Sequence, residues 1–118
     1  MDWTEYMRQM GVHMRTFGKA APGTIDGFRG LDAAAFTTQH LDAKTAELIA
    51  LAVSVTTRCD GCIAVHSQRA ARLGATQEEV AEAMGVAVAL NAGAAMVYAG
   101  RAVDAVACAT ERKTPGYD

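Results

Sequence analysis

Apolar residues recur along this chain at three- and four-residue steps, the period of a helix face rather than of a strand. Trp3, Tyr6, Met7, Met10, Met14 and Phe17 form the first such stripe, and Asp2-x-x-Glu5 offers it an N-terminal capping box. The stretch "APGTIDGFRG" holds a proline and three glycines, which predicts a loop leading into a short helix through Phe28, Leu31 and Phe36. Asp42 is placed to cap a helix over 43–55, with Leu48, Ile49, Leu51, Ala52 and Val55 facing inward. A further helix over 59–73 stops at Gly74, a C-cap residue. Thr76-x-x-Glu79 is a second capping box, opening a helix from 77 to about 90. Asn91-Ala92-Gly93 predicts a break, a last helix follows from 94 to about 111, and "RKTPGYD" reads as a frayed tail. No strand pattern, internal repeat or low-complexity linker competes, so one all-α domain over the 118 residues is expected.

Two of these helices are apolar on more than one face. Val86, Ala87, Val88, Ala89 and Leu90 are consecutive, and a helix that is hydrophobic all round must be buried all round. A lone domain of this size can bury few such helices, so a homo-oligomer that covers the excess is expected. The uncharged run 83–100 raises the question of a membrane span. Its Ala and Gly content and its central Asn-Ala-Gly read instead as two helices meeting in a soluble core.

Charge narrows the partners. Acidic residues outnumber basic ones 13 to 11 and no basic run occurs, so the clustered positive face that nucleic acid requires is not expected. Arg69 and Arg72 read as an ordinary solvated face. The N-terminal residues lack the apolar core of a secretory signal. Three cysteines without a signal favour a reducing cytoplasm, where a CxxC pair binds metal or does redox chemistry more often than it staples a fold.

The chemistry concentrates in "RCDGCIAVHSQRA". Cys59, Cys62 and His66 are three, four and seven residues apart, hence on one helix face. A Cys59–Cys62 disulfide needs a locally tightened first turn, which a helix start with Asp60-Gly61 can supply. The helix N-terminus favours a thiolate, at Cys59 above all, while His66 lies one turn from Cys62 and can exchange a proton with it. Acidity alone explains little. Lowering a thiol pKa from about 8.5 to about 6.5 raises the thiolate fraction at pH 7 roughly 25-fold. Intrinsic nucleophilicity falls about eightfold over the same change, leaving roughly a threefold gain. A group that protonates the leaving oxygen is needed as well, a role for His66 and a carboxylate behind it. Glu47, on the preceding helix, is one candidate; its periodicity alone reads as a surface residue paired with Lys44 or Arg58.

From about Leu41 to Ala107 the chain resembles the alkylhydroperoxidase D-like members of the carboxymuconolactone decarboxylase family. The shared motif is Glu, eleven intervening residues, then Cys-x-x-Cys-x-x-x-His, matched in register by Glu47, Cys59, Cys62 and His66. The resemblance implies an all-helical fold, a homotrimer or trimer-based hexamer, and thiol-dependent reduction of a hydroperoxide at the expense of an external dithiol. It implies that Cys62 is peroxidatic, Cys59 resolving, and Glu47 with His66 a proton relay; no haem, flavin or metal cofactor is required. The family enzyme carries a second histidine just before the second cysteine, where this chain has Gly61. The lactone decarboxylases generally lack the cysteine pair.

Other readings use the same residues. A general disulfide oxidoreductase or redox sensor would need only the CxxC. Zinc could take Cys59, Cys62, His66 and Glu47, although no second CxxC or CxxH exists to complete a structural site. An oligomeric scaffold with a vestigial site would explain the apolar helices without chemistry. Cys108 reads as a small buried helix residue, His13 and His40 as structural or surface groups, and Met96 and Tyr98 as packing residues that could also line a pocket.

Overall fold

The computed structural model describes residues 1–112, and among these it contains five helices and no strand. They are α1 (Trp3–Ala20), α2 (Pro22–Phe36), α3 (Ala43–Thr56), α4 (Asp60–Arg72) and α5 (Gln77–Arg112). The residues of the expected frayed tail beyond 112 lie outside the described ones. Helix α3 sits at the centre, packed against α4 on one side and α5 on the other, while α1 lies across α4 and carries α2 with it.

Most boundaries follow from local caps. The Asp2 carboxylate accepts the Glu5 N–H at 3.0 Å, but the Glu5 carboxylate turns to Arg8 and Gln9, so only half of the first capping box forms. Asp42 accepts the Thr45 N–H at 2.7 Å. Thr76 and Glu79 close a reciprocal box, with bonds of 3.0 and 3.1 Å.

Helices α3 and α4 end in the same way. The N–H of Cys59 reaches the Ser54 carbonyl and that of Arg58 reaches Val55; after α4, Ala75 reaches Ala70 and Gly74 reaches Ala71. Both are Schellman turns, whose pivot residue must adopt a left-handed conformation. Gly74 does so at φ +81°, without side-chain cost, whereas Arg58 does so at φ +54°.

Two expectations about helix boundaries need correction. The Pro- and Gly-containing stretch is not a loop: Pro22 occupies the first turn of α2, where its fixed φ and missing N–H are tolerated. The expected break at 91–93 is absent, and α5 runs through it for 36 residues. Asn91 spends its side-chain amide on the Ala87 carbonyl one turn back, at 2.8 Å, and a single interior glycine costs only about 1 kcal/mol.

The isolated chain is far from compact. Its accessible surface is 9193 Å², against about 6,100 Å² for a compact monomer of this mass. Its radius of gyration is 20.3 Å, where about 13.5 Å would be ordinary. Among the described residues the buried apolar set comprises only Ala46, Leu51, Ala64, Ala70 and Ala87. Of the residues expected inward on α3, Leu51 is buried and Leu48 and Ala52 are half-buried, but Ile49 and Val55 are exposed. Val86, Val88, Leu90, Met96, Val97, Val103 and Val106 are exposed along α5, a helix long and apolar enough by length and composition to cross a membrane. Cys108, expected to be buried there, is also exposed.

The two Schellman turns yield opposite mutational effects. Gly74→Ala should destabilise by about 1 kcal/mol, while Arg58→Gly should be neutral or stabilise by up to about 1 kcal/mol. Urea midpoints at fixed protein concentration and unchanged m-value would check both; a loss in each would contradict the left-handed assignment at Arg58.

The Lys44–Glu79 pair, at 2.7 Å between α3 and α5, carries a pH signature. The Lys44 ammonium and the Thr76 N–H hold Glu79 below the usual carboxylate range, and Glu79 holds Lys44 above the usual amine range. The Glu79 contribution is therefore complete above about pH 4.3 and is lost as pH falls through its lowered pKa. That of Lys44 is complete below about pH 10.4 and is lost as pH rises through its raised pKa. Glu79→Gln should flatten both limbs of the stability–pH curve; an unchanged acid limb would contradict the coupling.

Candidate active site

Glu47 is 4 % exposed, and it shares the buried face of α3 with Leu51 and Ser54. This corrects the periodicity-based reading of a surface residue paired with Lys44 or Arg58, since Lys44 is engaged by Glu79 instead. A carboxylate withdrawn from water needs a partner. It finds one in His66 of α4, whose Nδ1 lies 2.7 Å from Glu47 Oε2. The carboxylate accepts and Nδ1–H donates, which leaves Nε2 as the nitrogen not engaged by Glu47.

The turn after α3 delivers the cysteines. The Cys59 N–H is bound at 3.0 Å by the carbonyl of buried Ser54, so Cys59 is fixed to the end of α3 as it becomes the N-cap of α4. Its sulfur takes the capping role of a hydroxyl and accepts the Cys62 N–H at 3.1 Å. Cys59 and Cys62 are joined as a disulfide, with their Cα atoms 5.2 Å apart. The N-cap bond and the helix dipole favour negative charge on Cys59, whereas His66 stands one turn from Cys62.

Three features around the site had no clear sequence signal. Phe36, the last residue of α2, stacks on the His66 ring with centroids 5.2 Å apart and planes 22° from parallel. Arg69, expected on a solvated face, is half-buried; its guanidinium lies 5.5 Å from the Phe36 centroid and donates to both Asp32 oxygens at 3.2 and 3.4 Å. Asp32 and Phe36 are four apart on α2, and His66 and Arg69 three apart on α4. That complementary spacing is legible only once the two helices are known to meet. Finally, Gly61 lies under α1: a Cβ placed there would come 2.8 Å from Met10 Sδ and 3.7 Å from the Tyr6 hydroxyl. The stripe of α1 thus covers the turn between the cysteines.

Met96 and Tyr98, considered as pocket residues, are exposed on α5, with Arg101 over the Tyr98 ring. His13 and His40 are exposed. Among the described residues no group of three or more His, Cys, Asp and Glu side chains is arranged to hold a metal ion.

Phe36 and Glu47 hold His66 from different sides, and their loss should differ in kind. Phe36→Leu should cost about 1 kcal/mol and release the ring while keeping the Nδ1–H tautomer. Glu47→Gln, which can still accept through its carbonyl, should keep the ring in place but remove its charge-assisted bond, costing about 2 kcal/mol. Side-chain nitrogen shifts of His66, read beside urea midpoints, would separate the two; identical spectra for both variants would contradict the two-sided clamp.

Comparison with known proteins agrees with this architecture. An uncharacterized protein of Haemophilus influenzae is 47% identical over 104 residues, 88% of this chain and 92% of its own. The apo crystal structure of a carboxymuconolactone decarboxylase family protein from Legionella pneumophila superposes with a TM-score of 0.72 at 38% identity, covering 87% of this chain and 92% of that one. A protein of Methanobacterium thermoautotrophicum superposes at 0.68 and 34% identity, over 72% of this chain and 96% of its own. The sequence profile of the carboxymuconolactone decarboxylase family matches residues 22–105, so α1 lies outside it. The chain belongs to the carboxymuconolactone decarboxylase family.

Proposed function

We propose that this chain is a thiol-dependent hydroperoxide reductase of the alkylhydroperoxidase D-like kind. The observation that carries this reading is the buried Glu47–His66 hydrogen bond one helical turn from a cysteine that is paired in a CxxC. In the reduced protein the Cys62 thiolate attacks the terminal oxygen of a hydroperoxide ROOH. The O–O bond breaks, sulfur gains the hydroxyl as sulfenic acid, and the leaving alkoxide takes a proton to become ROH. His66 takes the Cys62 thiol proton on Nε2 as the thiolate forms and passes it to the leaving oxygen. Glu47 stabilises the charged ring between the two transfers, the assistance that thiol acidity alone does not provide. The Cys59 thiol then displaces water from the sulfenic acid and forms the disulfide. An external dithiol returns two electrons and two protons. The cycle uses no metal and no organic cofactor, and its setting in this reading is the cytoplasm.

The working unit in this reading is a homo-oligomer, a trimer or a trimer-based hexamer. The chain exposes about 3,000 Å² more than a compact monomer would, the scale that an obligate interface removes. The apolar length of α5 and the exposed face of α3 are the surface to be covered. Sedimentation should give a multiple of three protomers of 12.4 kDa; a stable monomer would contradict this.

A second reading is favoured by one contact. The Cys62 N–H on Cys59 Sγ prepares Cys59 rather than Cys62 as the first nucleophile, which suits exchange with a disulfide partner.

One experiment separates the two, with zinc content of the reduced protein recorded first. Wild type, Cys59→Ser, Cys62→Ser and Glu47→Gln each receive one equivalent of cumene hydroperoxide, followed by intact-mass analysis and peptide mapping. The peroxidase reading requires rapid formation of the Cys59–Cys62 disulfide and a trappable sulfenic acid on Cys62 in Cys59→Ser. Glu47→Gln should be slower by about 10²-fold. Sulfenic acid on Cys59 alone would reverse the cysteine roles. Thiols inert to peroxide but quick to exchange with a disulfide would support the second reading. Inert thiols holding zinc would replace both with a metal site, and inert metal-free thiols with a scaffold.

A further inference from the structure

A cleft of about 600 Å³ lies between α1 and α2, closed at one end by the Arg69–Asp32 pair. Gly18 allows its floor: a Cβ there would meet Ile25 at 3.3 Å, so α2 can press its Ile25 against α1. Met14 and Phe28, 49 % and 63 % exposed, form apolar walls with nothing packed over them. Arg15, Lys19 and Arg29 stand around the opening. Arg69 and Asp32 neutralise each other, which leaves these three cations facing Asp26 alone. None of the three is in an ion pair among the described residues. A chain whose net charge is −2 thus gathers a local positive excess around an apolar slot, from residues that are dispersed in the sequence.

The cleft is near the cysteines. The Arg15 guanidinium folds back over Gly11, where a Cβ would lie 3.4 Å from its Nη1. The preceding residue, Met10, is the one packed on Gly61 between the cysteines. Along α1 the cations Arg15 and Lys19 therefore follow the residue that covers the CxxC turn by about 7.5 and 13.5 Å.

We propose that this cleft binds a small amphiphilic monoanion, a carboxylate on a hydrocarbon body, and so selects anionic organic hydroperoxides for the neighbouring cysteines. The selection of substrate rests on the peroxidase reading; the binding does not. The carboxylate takes charge-assisted hydrogen bonds from the arginines at the mouth, for which their planar forks are suited. The hydrocarbon lies along Ile25, Met14 and Phe28. Inorganic phosphate lacks a body for the slot, and Pro22 removes a donor from the α2 N-terminus that a phosphate would use.

The test has a binding arm and a kinetic arm. On oxidised protein, amide shifts are followed during titration with octanoate, 1-octanol and inorganic phosphate. Octanoate should perturb Gly11, Gly18, Ile25 and Phe28 and bind about fivefold or more tightly than octanol, the scale of a few exposed charges. The triple variant Arg15→Gln/Lys19→Gln/Arg29→Gln should lose that preference, and Asp26→Asn, which removes the opposing charge, should sharpen it. On reduced protein, a fatty-acid hydroperoxide should oxidise the cysteines faster than its methyl ester. That ratio should approach one in the triple variant and in about 0.5 M salt, where exposed charges are screened. Octanoate binding no better than octanol, phosphate competing equally, or a ratio indifferent to the triple variant would overturn the proposal. If neither peroxide oxidises the protein, the peroxidase reading fails, and the octanoate titration still decides the cleft.

Discussion

The rest of the site depends on one buried hydrogen bond, from His66 to Glu47. Withdrawing a carboxylate from water costs several kcal/mol unless a partner compensates, so α3 and α4 are stable together only in the register that brings these residues into contact. The connection achieves this with three residues. Thr57 caps α3, Arg58 turns the chain in a left-handed conformation, and Cys59 starts α4 while still bonded to Ser54. Glu47 lies eleven residues before Arg58 and His66 eight after it, about 16 and 12 Å along the two helices. A hairpin with so short a turn folds these distances onto each other. The cost of a non-glycine left-handed residue is thus part of what places a carboxylate behind a histidine and a cysteine pair beside it.

Local chemistry was legible in the sequence wherever one segment decides its own shape. Asp42, Thr76 with Glu79, and Gly74 each announce a helix boundary, and each forms the contact that its type requires. Pro22 and Asn91 illustrate the opposite. A proline can start a helix as readily as break one, and an asparagine can return its side chain to its own helix, so neither determines structure without its neighbours. For Glu47, periodicity alone gave the wrong side of α3. Burial there comes from a partner nineteen residues away, and the motif shared with a family carried that information where the helical period could not. Phe36, Asp32 and Arg69 had no such motif, and their array exists only because two helix faces meet.

The apolar residues fall into the same division. The stripe on α1 and the all-round hydrophobicity of 86–90 were visible as patterns, and the second called for more covering than one chain provides. In the folded chain Ala87 is buried while Val86, Val88 and Leu90 are open. The helix follows its own propensity through 36 residues, and the rest of the chain leaves most of its apolar surface uncovered.

The Cys59–Cys62 bridge contributes little to holding the fold. Bridging residues three apart closes a very short loop, and a short loop removes less chain entropy than a long one. What holds the α3–α4 hairpin is therefore independent of the disulfide: the Ser54 carbonyl on the Cys59 N–H, the Glu47–His66 bond, and Leu51 and Ala64 buried in the two helices. Cys59 is the N-cap residue of α4 with its sulfur in the bridge, and a thiolate sulfur is an equally competent acceptor for the Cys62 N–H. In the proposed cycle, opening the bridge would therefore leave the Glu47–His66 pair in register. Met10 and Tyr6 cover the turn between the cysteines from α1, a helix that lies outside the span matched by the family profile.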